Sequence, residues 1–402
     1  MREATLIRGE MREHPGPLAV TRLSLTDFRG YASLRMETDR TPVVLFGPNG
    51  AGKTNLLEAL SLLVPGRGLR RVRQADLLRH GAATDACWAV AASVSTPEGE
   101  IRLGTGRDPR AAARIEDEDG EEEAAMPERR LARIDGETST PAKLGTVFAA
   151  LWLTPEMDRL FLDGASGRRR FLDRAIYGLE RSHATRVNAY ERALRERARL
   201  LRAGRADPLW LDVLEERMAS EGVAISATRI EAAARISKIA AAGFGPFPGA
   251  VLAVDGAVEE SLSEMPALEA EMKLRQSLLQ SRGDDALTGG ASFGPHRSDL
   301  LVYHRAKTLA AGLCSTGEQK ALMIGMVLAI ASLIAQERGQ APLLLLDEVA
   351  AHLDSLRRGA LFDHLTETGA QFWLTGTERE TFGNLGVRAQ FFRVGAGAAM
   401  PA

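Results

Sequence analysis

The segment Gly47-Pro-Asn-Gly-Ala-Gly-Lys-Thr54 constrains this chain more than any other. It follows the short apolar run Val43-Val-Leu-Phe46 and precedes Thr54 to Leu63, where Leu56, Leu57, Leu60 and Leu63 recur at helical spacing. Strand, glycine-rich loop and helix in that order form a phosphate cradle. The glycines let the backbone N–H groups of Gly47, Asn49, Gly50, Ala51, Gly52 and Asn55 approach an anion, Pro48 lies in the same binding segment without an N–H to give, and the helix start adds its positive dipole end. Lys53 is placed to reach the β/γ oxygens of ATP or GTP, and the Thr54 hydroxyl to ligate Mg2+.

A phosphate loop needs a carboxylate on a neighbouring strand. Leu343-Leu-Leu-Leu-Asp347-Glu348 supplies one, with Asp347 on the metal side and Glu348 where a general base could take a proton from the attacking water. Lys53 and Asp347 are 294 positions apart, and much of the gap, residues 166–288, is rich in Ala, Arg, Glu and Leu at helical period. This predicts an α/β chain of mixed sheets and helices: a tail over 1–17, a head over 18–165, an inserted helical domain over 166–288, and the rest of the head over 289–402. Residues 88–104 alternate like strands, Asp135-Gly136 is hairpin chemistry, and Gly243-Phe-Gly-Pro-Phe-Pro-Gly249 interrupts the helices. The acidic run 116–123 reads as a solvated loop.

Ser315-Thr-Gly-Glu-Gln319 opens the apolar helix that leads to the acidic strand, and Ala351-His-Leu-Asp354 follows it. A Ser-Thr-Gly turn is also an ordinary helix cap. The three motifs in order nevertheless resemble the signature, Walker B and D-loop series of ABC-type ATPases. That resemblance implies that Ser315, Gly317 and Gln319 cap the γ-phosphate held by a second subunit. A head split around an insertion is the SMC/Rad50 plan, but this insertion is too short for their coiled-coil arms. Leu23-Ser-Leu-Thr-Asp-Phe-Arg-Gly-Tyr31, Leu153-Thr-Pro-Glu156 with Arg169-Arg-Phe-Leu-Asp173, and Gly294-Pro-His-Arg-Ser-Asp-Leu300 are similar to motifs of the RecF family of bacterial recombination-repair proteins. The similarity runs from about residue 19 to 395; Gly66-Arg-Gly-Leu-Arg70 follows the family's pattern only loosely.

Membership would imply a P-loop ABC-type ATPase head that dimerises with ATP on duplex DNA near single-strand gaps and junctions. It would further imply slow, DNA-dependent hydrolysis as a release step, work with RecR and RecO, promotion of RecA loading, and a place in the SOS response. Two other readings share the nucleotide motifs: the ATPase subunit of a membrane transporter, and an SMC-like structural DNA clamp. The transporter reading expects a switch histidine after the strand that here ends Leu374-Thr-Gly-Thr377, where only a threonine hydroxyl is available to orient water or phosphate.

Composition adds limits. The net charge of −2 announces no whole-chain attraction to nucleic acid, so any DNA surface is local. Arg67, Arg70 and Arg297 are candidate DNA or nucleotide contacts. With 45 arginines against 6 lysines, however, Arg168-Arg-Arg170 and the arginines from 192 to 205 read more readily as a solvated, self-paired helix face than as a DNA track. Two cysteines, 227 positions apart, build neither a disulfide framework nor a zinc site. No secretory leader is visible, and the apolar run from Ala321 to Ala335 reads as a buried helix rather than a span, so a cytoplasmic protein without a membrane partner is expected.

Overall fold

The computed structural model describes residues 18–83, 85–108, 130–204 and 207–402. The tail 1–17, the acidic run 116–123 and Arg205 lie outside the described residues. The chain begins with β1 (Ala19–Phe28), β2 (Tyr31–Glu37), β3 (Val43–Phe46) and helix α1 (Lys53–Ser61). It continues through β4 (Ala89–Thr96), β5 (Gly99–Arg107), β6 (Arg130–Ile134), β7 (Glu137–Ser139), the single turn α2 (Pro141–Leu144) and β8 (Ala150–Leu153). Helices α3 (Ala165–Leu179), α4 (His183–Ala203) and α5 (Pro208–Ala240) follow. Then come β9 (Ala250–Asp255), α6 (Ala257–Glu264), α7 (Ala267–Gln280) and α8 (Arg282–Thr288). The C-terminal part holds β10 (Asp299–His304), β11 (Leu309–Ala310), α9 (Thr316–Arg338), β12 (Leu343–Leu346), α10 (Ser355–Glu367), β13 (Phe372–Gly376), β14 (Gln390–Gly395) and β15 (Ala398–Pro401).

Two sheets make the head. One is antiparallel, in the order β2-β1-β4-β5-β6-β7; the other runs β15-β14-β3-β13-β12-β8 and is parallel except for the β14/β15 pair. The Asp135-Gly136 hairpin forms as its residues predict, with φ of 50° and 87° at the two turn positions. In the parallel sheet, side-chain alternation divides the core. Val43, Leu45, Leu343 and Leu345 pack with α1 and the antiparallel sheet, whereas Val44, Leu344 and Leu346 pack with α9 and α3. Buried on both faces, these strands carry no polar alternation, which is why they read as short continuous apolar runs. Gln371 fastens the sheets together: its amide accepts from the Val20 N–H (2.9 Å) and the Trp373 indole (3.1 Å), and donates to the Asp39 carbonyl (2.8 Å).

Helix α9 meets the length and composition of a bilayer span, yet 78% of its most apolar stretch is buried inside the protein. It is the central core helix. The inserted region is not purely helical. Gly243–Gly249 turns the chain, and β9 then pairs with β10 and β11 in a small antiparallel sheet. Ala250-Val-Leu-Ala-Val-Asp255 alternates buried and more exposed positions, but alanine and leucine suit both periods, so the surrounding helical composition hid the strand. Helix α5 joins both parts, with Ala232, Ile236 and Ala240 in the head core and Leu214, Met218 and Val223 in the core of the inserted helices.

Candidate functional site: a nucleotide cradle at the strand ends

The parallel strands deliver β3, β12 and β13 to a common edge at their C-terminal ends, the position where open α/β sheets bind ligands. The strand order is decisive: β13 lies between β3, which leads into the phosphate loop, and β12, which ends at Asp347.

The loop is shaped by what its glycines allow. Gly52 has φ of +101°, and a Cβ there would lie 2.7 Å from the Tyr31 hydroxyl. That hydroxyl donates to the Gly52 carbonyl at 3.1 Å, and burial pushes the Tyr31 phenol up to about 12. Lys53 is 4% exposed, and its ammonium donates to the carbonyls of Gly47 (2.7 Å) and Pro48 (3.0 Å). Burial lowers its pKa, while the charges of Glu348 and Asp347 act in the opposite sense. The Thr54 hydroxyl donates to Asp347 Oδ1 at 2.9 Å. A neutral hydroxyl and a carboxylate in direct contact are the hard oxygen donors that Mg2+ takes, so the residues present fit that ion.

Thr375, at 1% exposure on β13, was not singled out by sequence. Its hydroxyl donates to Asp347 Oδ1 (2.7 Å) and accepts from the Glu348 backbone N–H (2.9 Å). One side chain therefore positions the metal-side acid and the neighbouring backbone together. Glu348 itself has φ of 53°, a left-handed conformation unusual for glutamate and of the kind held only where the surroundings fix it. Thr377 lies exposed beyond the strand end. Asn55 accepts from Arg70 Nη1 at 2.8 Å, and the buried Glu58 beyond it receives the fork of Arg29 at 2.8 and 2.9 Å.

Ser315 caps α9 in a full capping box: its hydroxyl accepts from the Glu318 N–H, and Glu318 Oε2 accepts from the Ser315 N–H (3.1 Å). Hydrogen bonds from Lys307 and from Ser315 hold the Glu318 carboxyl down to about 2. Ser315, Thr316 and Gly317 are exposed, and a Cβ on Gly317 would meet nothing. Gln319 behaves differently: its amide is buried and donates to the carbonyls of Cys314 (2.8 Å) and Gly312 (3.4 Å), bracing the turn from beneath. Leu313 beside the cap and Leu356 at the start of α10 are 74% and 73% exposed.

The remaining candidates separate. Arg297 Nε and Nη2 both donate to the Ala291 carbonyl (3.1 and 3.0 Å), and His296 spans the Tyr190 hydroxyl (2.7 Å) and the same carbonyl (2.9 Å). Burial pushes that imidazole down to about 4. Both residues lock the junction of the inserted helices. Arg168 forks onto Asp299 at 2.8 Å through both contacts, Arg199 pairs with Glu196 on the surface, and Arg197 is buried between Glu215 and Asp285. Arg67 lies in the loop after α1 and lines a cavity there.

Residues 19–397 match the model of the RecF/RecN/SMC N-terminal domain. A curated protein of Rhizobium etli, DNA replication and repair protein RecF, is 46% identical over 95% of this chain and 99% of its own length. The RecF proteins of Mesorhizobium japonicum and Brucella suis are each 44% identical, over 96% and 97% of this chain. Among solved structures, that of the recombination mediator protein RecF with ATP, in the RecFOR pathway, superposes with a TM-score of 0.78 over 96% of this chain and 99% of that one, at 21% identity. The Smc head domain of Pyrococcus furiosus superposes with a TM-score of 0.51 over 96% of each chain at 16% identity, a likeness of fold.

Proposed function

The chain belongs to the RecF family of DNA replication and repair proteins, with the SMC-like ATPase head fold, and from that premise we propose that it is an ATP-gated, DNA-binding switch of recombinational repair. The observation that carries the reading is the split of the site. Lys53, Thr54, Asp347 and Glu348 gather at one strand edge, while the Ser315 hydroxyl and the Gly317 N–H stand exposed at the start of α9. A helix N-terminus of this kind suits the γ-phosphate of a nucleotide bound to a second copy, and exposed Leu313 and Leu356 suit burial against that copy. The likeness in fold to a RecF structure that holds ATP supports ATP as the nucleotide.

In this mechanism the phosphate loop and Lys53 bind the triphosphate, and Thr54 and Asp347 would hold Mg2+, which when bound would supply charge neutralisation for the phosphates. Thr375 keeps Asp347 and the Glu348 backbone in register. Glu348 accepts the proton of the attacking water, and loss of the terminal phosphate releases the partner copy. The paired heads grip duplex DNA near single-strand gaps and junctions, mainly through phosphates, so binding falls steeply with salt. Hydrolysis is slow and serves as a timer; RecR and RecO are its partners, RecA loading its outcome, and the cytoplasm its setting. Family membership sets aside the transporter reading. Replacing Glu348 by Gln tests the proposal: the variant should bind ATP, lose hydrolysis and stay on duplex DNA, and a variant that hydrolyses at the wild-type rate removes Glu348 from the chemistry.

A further inference from the structure

A cavity of about 810 Å3 lies between the loop after α1 (residues 65–74), the start of β6 and helices α3 and α4. Among the described residues, eight arginines line it, including Arg67, Arg71, Arg130, Arg170, Arg174 and Arg192, against two acids, Asp173 and Glu191. Asp173 is committed elsewhere, bonded through both oxygens to Arg229 (2.8 Å each) and to His183 (2.9 Å). Glu191 pairs with Arg195 at 3.3 Å. Neither acid approaches a cavity arginine closely enough to form an ion pair among the described residues.

The arginines are held rather than left to drift. Arg174 lies 4.2 Å over the Trp152 ring, and its buried Nε has no hydrogen-bond partner. Arg130 donates to the Gly66 carbonyl at 2.8 Å. Arg71 adopts φ of 59°. Burial, then Arg170 and Arg67, push the Arg71 guanidinium down, and burial followed by Arg71 pushes Arg174 down to about 9. Gathering eight like charges in a half-closed space with, among the described residues, only two acids and neither paired to them is costly unless an anion completes it.

We propose that this cavity is a second phosphate site that takes a compact polyphosphate of nucleotide size. Planar guanidinium forks match phosphate oxygens. The volume falls within the range of small-molecule sites, roughly 300–1,000 Å3. A duplex, whose major groove alone is about 12 Å wide, does not enter a space of this size. The site is distinct from the ATP cradle. Lys53 opens α1, whereas the cavity begins at Leu62 past its other end, about 12 Å along the helix axis at 1.5 Å per residue. The two are nonetheless joined, because the loop that walls the cavity also carries Arg70, bonded to Asn55 beside Thr54, and Leu69, whose N–H donates to Ser61 Oγ at 2.7 Å. Occupancy of the cavity therefore bears on the phosphate loop.

The test is calorimetric titration of the full chain with inorganic tripolyphosphate, in the wild type, in Lys53→Met, and in Lys53→Met carrying Arg170→Gln and Arg192→Gln. Both arginines are exposed at the rim, so folding should survive, and melting curves check it. Lys53→Met should still bind one tripolyphosphate. The added glutamines should weaken it about 10- to 100-fold, the loss expected for two charged contacts, and Arg170→Lys should restore part of it. No binding in Lys53→Met, or binding indifferent to the glutamines, overturns the proposal. So does arginine-dependent binding of a 5′-phosphorylated single strand without binding of tripolyphosphate, which would assign the cavity to a nucleic-acid end.

Discussion

Replacing Thr375 by Val keeps the shape of the side chain and removes only its hydroxyl. Two bonds disappear: the 2.7 Å donation to Asp347 and the 2.9 Å acceptance from the Glu348 N–H. A bond to a charged acceptor contributes about 1.5–3 kcal/mol, and stranding a buried donor costs about 1–3 kcal/mol. Glu348 is only half-buried and Asp347 keeps its bond from Thr54, so the lower halves of both ranges apply, and the expected loss is about 2.5–4 kcal/mol. Chemistry should suffer more than binding. The left-handed turn at Glu348 would lose the contact that fixes it, and a misplacement of about 1 Å costs on the order of 100-fold in rate. Denaturant unfolding followed by tryptophan fluorescence, to which Trp373 on the same strand contributes, reports the first effect, and steady-state ATP hydrolysis the second. Thr375→Ser should recover both. A valine variant with unchanged midpoint and unchanged hydrolysis would refute the assignment of Thr375 as the positioning residue.

Two further outcomes follow from burial and charge. Asp173→Asn leaves Arg229 buried without its carboxylate and should cost about 3–5 kcal/mol in denaturant unfolding. Burial alone would raise the Asp173 pKa, but Arg229 and His183 hold it well below its ordinary value. A carboxyl depressed in the folded state contributes stability above its unfolded pKa of about 4 and loses it as pH falls toward the folded value, so the gap between wild type and Asn should narrow on acidification below about pH 4. Gly52→Ala places a methyl against the Tyr31 hydroxyl at a left-handed position; ATP affinity measured by calorimetry should fall by at least about tenfold. Tyr31→Phe in the same background should relieve little of the loss, because the backbone conformation remains strained.

What the sequence made legible was local chemistry. Gly47–Thr54, the apolar strand ending at Asp347, the Ser315 cap and the Asp135-Gly136 hairpin each state their geometry within a few residues, because loop conformation, capping and strand burial are short-range effects. Thr375 escaped notice because its role depends on strand order: only the insertion of β13 between β3 and β12 brings a threonine 28 positions away onto Asp347. Gln319 showed the opposite failure. Its position in the signature pattern suggested a contact to nucleotide, yet the turn folds its amide inward. The arginines were illegible for a third reason. One residue type serves a surface pair at Arg199, a buried hub at Arg197, a fork to Asp299 at Arg168 and a cavity wall at Arg170, and composition does not distinguish these.

The central claim is that each triphosphate is shared by two copies. Sedimentation equilibrium of the wild type and of Ser315→Arg, with Mg2+ and with or without ATP, measures it directly. The wild type should pass from the mass of one chain to that of two when ATP is added, whereas Ser315→Arg should bind ATP and stay at one. A wild type that binds ATP and remains a single chain, or a Ser315→Arg variant that pairs as readily as the wild type, would contradict the account.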